Sequence, residues 1–123
     1  MTRKNPERLT QQECINLADM MPSWSSSYFL GDRHYDSDYS GIKVRVSSSK
    51  EFYPAYSRRR IREYSIEVNI NEETNIGNYK SRDGGRLKGL FERLPKSNSN
   101  EFWFNPSRTN EEAVEKIREI LKV

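Results

Sequence analysis

Apolar residues recur along the chain with two periods, and each period predicts its own kind of element. Cys14, Leu17, Ala18 and Met21 stand at i, i+3, i+4 and i+7, one face of a helix. Thr10 and Glu13 form a T-x-x-E capping box at its start, with Leu9 and Cys14 at the two hydrophobic-staple positions. Pro22 pushes the residue before it out of the α region, so the pattern predicts a helix over 10–21. Further on the period changes to two. Ile42, Val44 and Val46 alternate with Lys43 and Arg45, and Tyr64, Ile66, Val68 and Ile70 alternate with Glu63, Ser65, Glu67 and Asn69. These are half-buried strands over 42–46 and 62–70, expected to pair antiparallel across the connection 47–60. A connection of that length is uncommon unless it is functional or mobile.

The helical period returns at Leu87, Leu90, Phe91 and Leu94 and stops at Pro95; Gly89 weakens that helix by about 1 kcal/mol relative to alanine. "EFWFN", 101–105, reads as a short aromatic strand. Thr109 and Glu112 form a second capping box, opening a helix over 110–122 with Ala113, Val114, Ile117, Ile120 and Leu121 on its apolar face. Its acidic residues come early and its basic ones late, as the helix dipole favours. Tyr28–Leu30 is a short candidate strand, while "GDRHYDSDYSG" and "NEETNIGNYKSRDGG" read as turn-rich loops. The element order predicts an α+β fold: a small antiparallel sheet of three or four strands, packed by an N-terminal, a middle and a C-terminal helix. Residues 1–123 are expected to form a single compact domain.

Composition adds constraints. Only 33% of the 123 residues are hydrophobic and 32% are charged, so the core must be economical and lean on aromatic rings. Net charge is only +3, which separates the chain from disordered sequences of one dominant sign. The single cysteine excludes an internal disulfide and fits a reducing compartment. The N-terminus has no apolar signal core, and no run approaches the roughly 18 apolar residues of a spanning helix. A cytoplasmic protein with no membrane partner is expected.

The charge is uneven. Lys50 to Tyr64, "KEFYPAYSRRRIREY", holds Lys50, Arg58, Arg59, Arg60 and Arg62 against Glu51 and Glu63, interleaved with Phe52, Tyr53 and Tyr56. Arginine forks bind phosphates and stack on bases, and exposed rings add stacking faces, a combination that holds single strands and RNA. The same residues also suit an aromatic core beside a charge-protected strand edge. If the segment is extended, Arg58, Arg60 and Arg62 share one face and Arg59 the other. Lys80 to Lys96 is a second basic stretch; within it Gly84, Gly85, Arg86 and Lys88 at a helix start form a secondary candidate anion site.

Conventional catalytic motifs are missing. His34 is the only histidine, Cys14 lies on an apolar helix face, and there is no G-x-S-x-G elbow and no P-loop. Asp32, His34, Asp36 and Asp38 alternate, yet they lack the glycine and glutamate of a calcium loop and a second histidine. No metal or other cofactor is expected there. Arg58 to Arg62 with Tyr64 and Glu67 contain the residue types of a metal-independent ribonuclease. The leading expectation is a non-enzymatic accessory protein binding RNA or single-stranded DNA through 50–64. The alternatives are an inhibitor or adaptor, of the kind phage and plasmids use against defence systems, docking on an acidic surface of a nucleoprotein complex, and a small ribonuclease.

Overall fold

The computed structural model describes residues 5–82 and 84–122. Helix α1 (Gln11–Met20) is followed by five strands, β1 (Ser25–Phe29), β2 (Asp32–Tyr39), β3 (Ile42–Ser48), β4 (Glu63–Ile70) and β5 (Thr74–Arg82). Helices α2 (Gly85–Arg93) and α3 (Asn110–Leu121) complete the α+β fold. The strands form one antiparallel meander in the order β1-β2-β3-β4-β5. The sheet therefore has five strands where the sequence predicts three or four.

Local chemistry explains the turns. Leu30 and Gly31 between β1 and β2, and Ser40 and Gly41 between β2 and β3, all have positive φ, the signature of two-residue hairpins whose twist matches the strands. β2 escapes the sequence reading because its inward positions are Tyr35 and Ser37, too polar to alternate visibly. β5 escapes it because a bulge opposite Val68 and Asn69 shifts its parity, leaving Ile76 buried next to Gly77. The aspartates read as turn formers are strand residues. "EFWFN" is the reverse case: Phe104 is buried, but the segment is irregular and bonds the β2–β3 turn, the Phe104 N–H donating to Ser40 Oγ at 2.8 Å.

One sheet face carries Tyr35, Val44, Val46, Tyr64, Ile66 and Val68, and the three helices pack on it. Burying each of these aliphatic side chains contributes about 1.5–3 kcal/mol. Phe91 of α2 meets Tyr35 and Tyr64 with ring centroids 4.9 and 5.7 Å away. Both bonds of the Thr10–Glu13 capping box form, at 2.9 and 3.2 Å. At α3 only half of the expected box forms: Thr109 Oγ1 accepts from the Glu112 N–H, while Glu112 accepts from the N–H of Arg108. With Lys116 3.1 Å away and that N–H, the Glu112 carboxyl is held below the ordinary range. Among the described residues no helix lies over the opposite sheet face, which leaves two layers and one open side.

Candidate nucleic-acid interface

Beyond the sheet, the β3–β4 ladder continues as a narrow finger. The Ser49 N–H donates to the carbonyl of Glu63 at 2.9 Å, and Phe52 and Ile61 exchange two backbone bonds of 2.9 and 2.8 Å. Residues 53–60 make the tip, tightened by a turn in which the Ser57 N–H donates to the carbonyl of Pro54 at 3.0 Å. The backbone there is turn and bend, not strand, so the alternation expected of Arg58, Arg59 and Arg60 does not apply; all three, with Arg62, are exposed. The finger rests against the β1–β2 turn. Asp32 Oδ1 accepts from the Lys50 N–H at 3.0 Å, and a Cβ at Gly31 would lie 2.8 Å from Lys50 Cβ, so only glycine fits.

The aromatic residues divide by role. Phe52 is half-buried with the Arg82 guanidinium 5.9 Å from its ring, which makes it part of the finger's support. Tyr53 is 56% exposed; Arg60 lies 5.2 Å from its ring centroid and donates to its hydroxyl at 3.0 Å. Tyr56 stands at the apex, 108% exposed, with φ of +62°. A left-handed tyrosine costs roughly 1–2 kcal/mol of local strain. Arg62 is offset by Glu51 at 3.7 Å, whereas Arg58 makes no hydrogen bond or ion pair among the described residues.

The secondary anion site splits. Arg86 turns away and donates to Gln12 of α1, while Lys88 shares a shallow groove with Arg60, Arg62, Phe91 and Glu51. Gly84 and Gly85 hold the positive φ values of the helix start, and among the described residues no side chain caps it. Lys88 thus lies beside Arg60 and Arg62 of the finger, while Arg86 of the same secondary site faces α1. Two other cations of the second basic stretch, Arg93 and Lys96, both bind Asp19 at 3.0 and 2.9 Å. Asp83, an acid of that stretch, lies outside the described residues.

The open sheet face is electrostatically self-matched. Arg45 Nε donates to Asp36 at 2.6 Å, raising the guanidinium pKa, and Lys43 lies 3.2 Å from Glu72 and 3.9 Å from Asp38. Cross-strand pairing puts Arg45 beside Glu67 as well. Among the described residues no three His, Cys, Asp or Glu side chains converge on one point. Tyr64 and Glu67 lie on opposite faces of β4, Tyr64 buried under α2 and Glu67 exposed, so the residues of the ribonuclease reading are not brought together. Cys14 is buried, and loss of solvation pushes its thiol pKa up to about 12, the reverse of an activated nucleophile. No described helix is long and apolar enough to cross a membrane.

Sequence reasoning reads Tyr28–Leu30 as a short candidate strand and gives it no functional weight. Tyr28 and Phe29 lie in β1, and with Leu30 they are more than two-thirds exposed at the hairpin tip beside the finger. The only signal was Leu-Gly after a serine run, which names a hairpin turn only when the polar segment after it is taken as a strand. Compared with known proteins, the chain matches no family model, no curated protein and no solved structure.

Proposed function

We propose that the protein is a non-enzymatic accessory protein that binds RNA or single-stranded DNA through the finger 50–62. The observation that carries this reading is the apex itself: a fully exposed, strained Tyr56 on the same tip as the Tyr53–Arg60 pair and the exposed Arg58. A ring with a free π-face stacks a base while arginines of the same tip meet the phosphates. An exposed, left-handed tyrosine does nothing for the core, and strain at such a position points toward a binding role. Arg60, Arg62 and Lys88 continue from the tip along a groove in which they outnumber the carboxylates Glu51 and Glu92, a course that suits a strand several nucleotides long.

The test is a titration of labelled single-stranded RNA and DNA with the purified protein at low salt, with RNA integrity followed in parallel. Saturable binding of intact RNA or of single-stranded DNA, weakening steeply with salt, is the expected result. Absence of binding to both overturns the reading and leaves the finger as a dock for an acidic protein surface, the inhibitor or adaptor function. Cleavage of the RNA overturns its non-enzymatic part.

A further inference from the structure

The two edges of the sheet are treated differently. At β5 the N-terminal segment lies alongside, the Leu9 N–H donating to the carbonyl of Ile76 at 2.7 Å and Tyr79 Oη donating to the carbonyl of Leu9 at 2.9 Å. That edge also carries a bulge, Lys80 and Arg82, devices that discourage further pairing. At β1 none of these is present. Ser25–Phe29 is a regular, unbulged strand without charge or proline, and all five residues are exposed. The helical layer stops short of it: Pro95, just past α2, borders a groove with Ser26, Tyr28, Arg33 and Tyr35 under the overhanging strand.

We infer that β1 is a self-association edge, on which a second copy of this chain pairs antiparallel about a two-fold axis at Ser27. The hairpin decides which backbone groups are available. In a two-residue hairpin the closing pair, here Phe29 and Asp32, exchanges both hydrogen bonds, and bonded and non-bonded pairs then alternate. Phe29, Ser27 and Ser25 therefore turn their N–H and C=O groups toward β2, and Ser26 and Tyr28 turn theirs outward. A two-fold at Ser27 places Ser26 opposite the partner's Tyr28 and Tyr28 opposite the partner's Ser26. Those are the two residues with free groups, so four backbone bonds form without a shift of register.

Side-chain size follows the same symmetry. Small serines at 25 and 26 face large rings at 29 and 28, so no two rings collide across the axis. Residues 26 and 28 lie on the helix side of the sheet, together with Tyr35. The partner's Tyr28 thus arrives beside Ser26, over the groove that the helices leave uncovered. Tyr28 and Phe29, 69% and 68% exposed as a monomer, would both be covered. Because the strand carries no charge, the axis brings no like charges together. The chain's own strand meets this edge at its pairing groups and at its side chains together.

The test is sedimentation equilibrium of the full chain from about 1 µM to about 300 µM, the range where an interface of this small size dissociates. The expected mass rises from one to two multiples of 14.6 kDa. Hydrogen exchange at the two ends of that range adds a residue-level readout: Ser26 and Tyr28 amides gain protection with concentration, and Ser27, already bonded to β2, does not. Ser26→Pro removes only an outward N–H, and by symmetry two bonds of the dimer, so it weakens association by about tenfold or more. Tyr28→Ser empties the groove and does the same. Unchanged monomer melting curves for both variants show that the fold is intact. A chain that stays monomeric throughout overturns the inference, as does a dimer that both variants form as tightly as the parent.

Discussion

The sulfur of Cys14 lies over Gly77 so closely that a Cβ at residue 77 would sit 2.5 Å from Sγ and 3.4 Å from Leu9 Cβ. This contact sets the height of α1 above β4 and β5. Gly77 is the position where the sheet yields its side chain so that the helix can approach, and it stands opposite Val68, beside the bulge. Gly77→Ala should cost about 1–3 kcal/mol through overpacking. In a Cys14→Ala background the same substitution should cost clearly less, because the colliding atom is gone. A double-mutant cycle from urea unfolding checks this; additive effects would show that the helix moves freely over residue 77.

The same burial gives the chain an alkaline weakness. The Cys14 thiol titrates near 9.0 when unfolded and is pushed up to about 12 when folded, chiefly by loss of solvation. Below 9.0 both states keep the proton and the thiol is neutral to stability. Above that value the unfolded chain releases a proton that the folded chain retains, so stability falls with rising pH, by about 1.4 kcal/mol per unit until the folded thiol ionises. Urea unfolding from about pH 8 to about pH 11 should therefore show a steeper decline for the parent than for Cys14→Ala. Parallel declines would assign the alkaline loss to other groups.

Glu13 holds three elements at once. Its carboxylate accepts the Thr10 N–H at 2.9 Å and two bonds from Arg118 at 2.7 and 3.0 Å, and Arg118 also donates to the carbonyl of Arg8 at 3.1 Å. The Glu13 side chain is 8% exposed and that of Arg118 19%. Arg118→Ala removes both arginine bonds from a largely buried carboxylate and should cost about 1.5–3 kcal/mol. Arg118→Lys should restore little, since an ammonium cannot reproduce the fork. By contrast Arg93→Ala leaves Asp19 with Lys96 near the surface, and a change under about 1 kcal/mol is expected. Equal losses in the melts of the two alanine variants would contradict this ranking.

What the sequence made legible follows from burial. α1, β3, β4 and α3 each place one face wholly in the core, so their apolar residues repeat at the element's own period. The capping threonines then set the helix starts. β1, β2 and most of β5 lie at or near the sheet edges with few inward apolar residues, and period alone cannot recover a strand whose inside is Tyr35 and Ser37. The candidate site was visible as composition, since arginine and tyrosine crowd one loop. Its geometry was not. Which ring supports and which ring projects depends on the Phe52–Ile61 pair and the turn at Pro54–Ser57, and neither leaves a periodic trace.

The finger offers a separation between binding and folding. Tyr56→Gly removes the apex ring and relieves its left-handed backbone, so stability should hold or rise by up to about 1–2 kcal/mol. Affinity for the single strand should fall by about 1–3 kcal/mol, roughly five- to 150-fold, because a stacking face is lost. Arg58→Ala should leave the melting temperature unchanged and reduce the slope of log affinity against log salt by about 0.7, one single-strand phosphate contact. Phe52→Ala should act the other way, lowering stability first, since it loses the packing under Arg82 that holds the finger on the sheet. Fluorescence titration at several salt concentrations, beside a thermal melt of each variant, measures both quantities. If Tyr56→Gly binds as the parent does while Phe52→Ala, still folded, binds no strand at all, the base stacks on the supporting ring and the apex is not the contact.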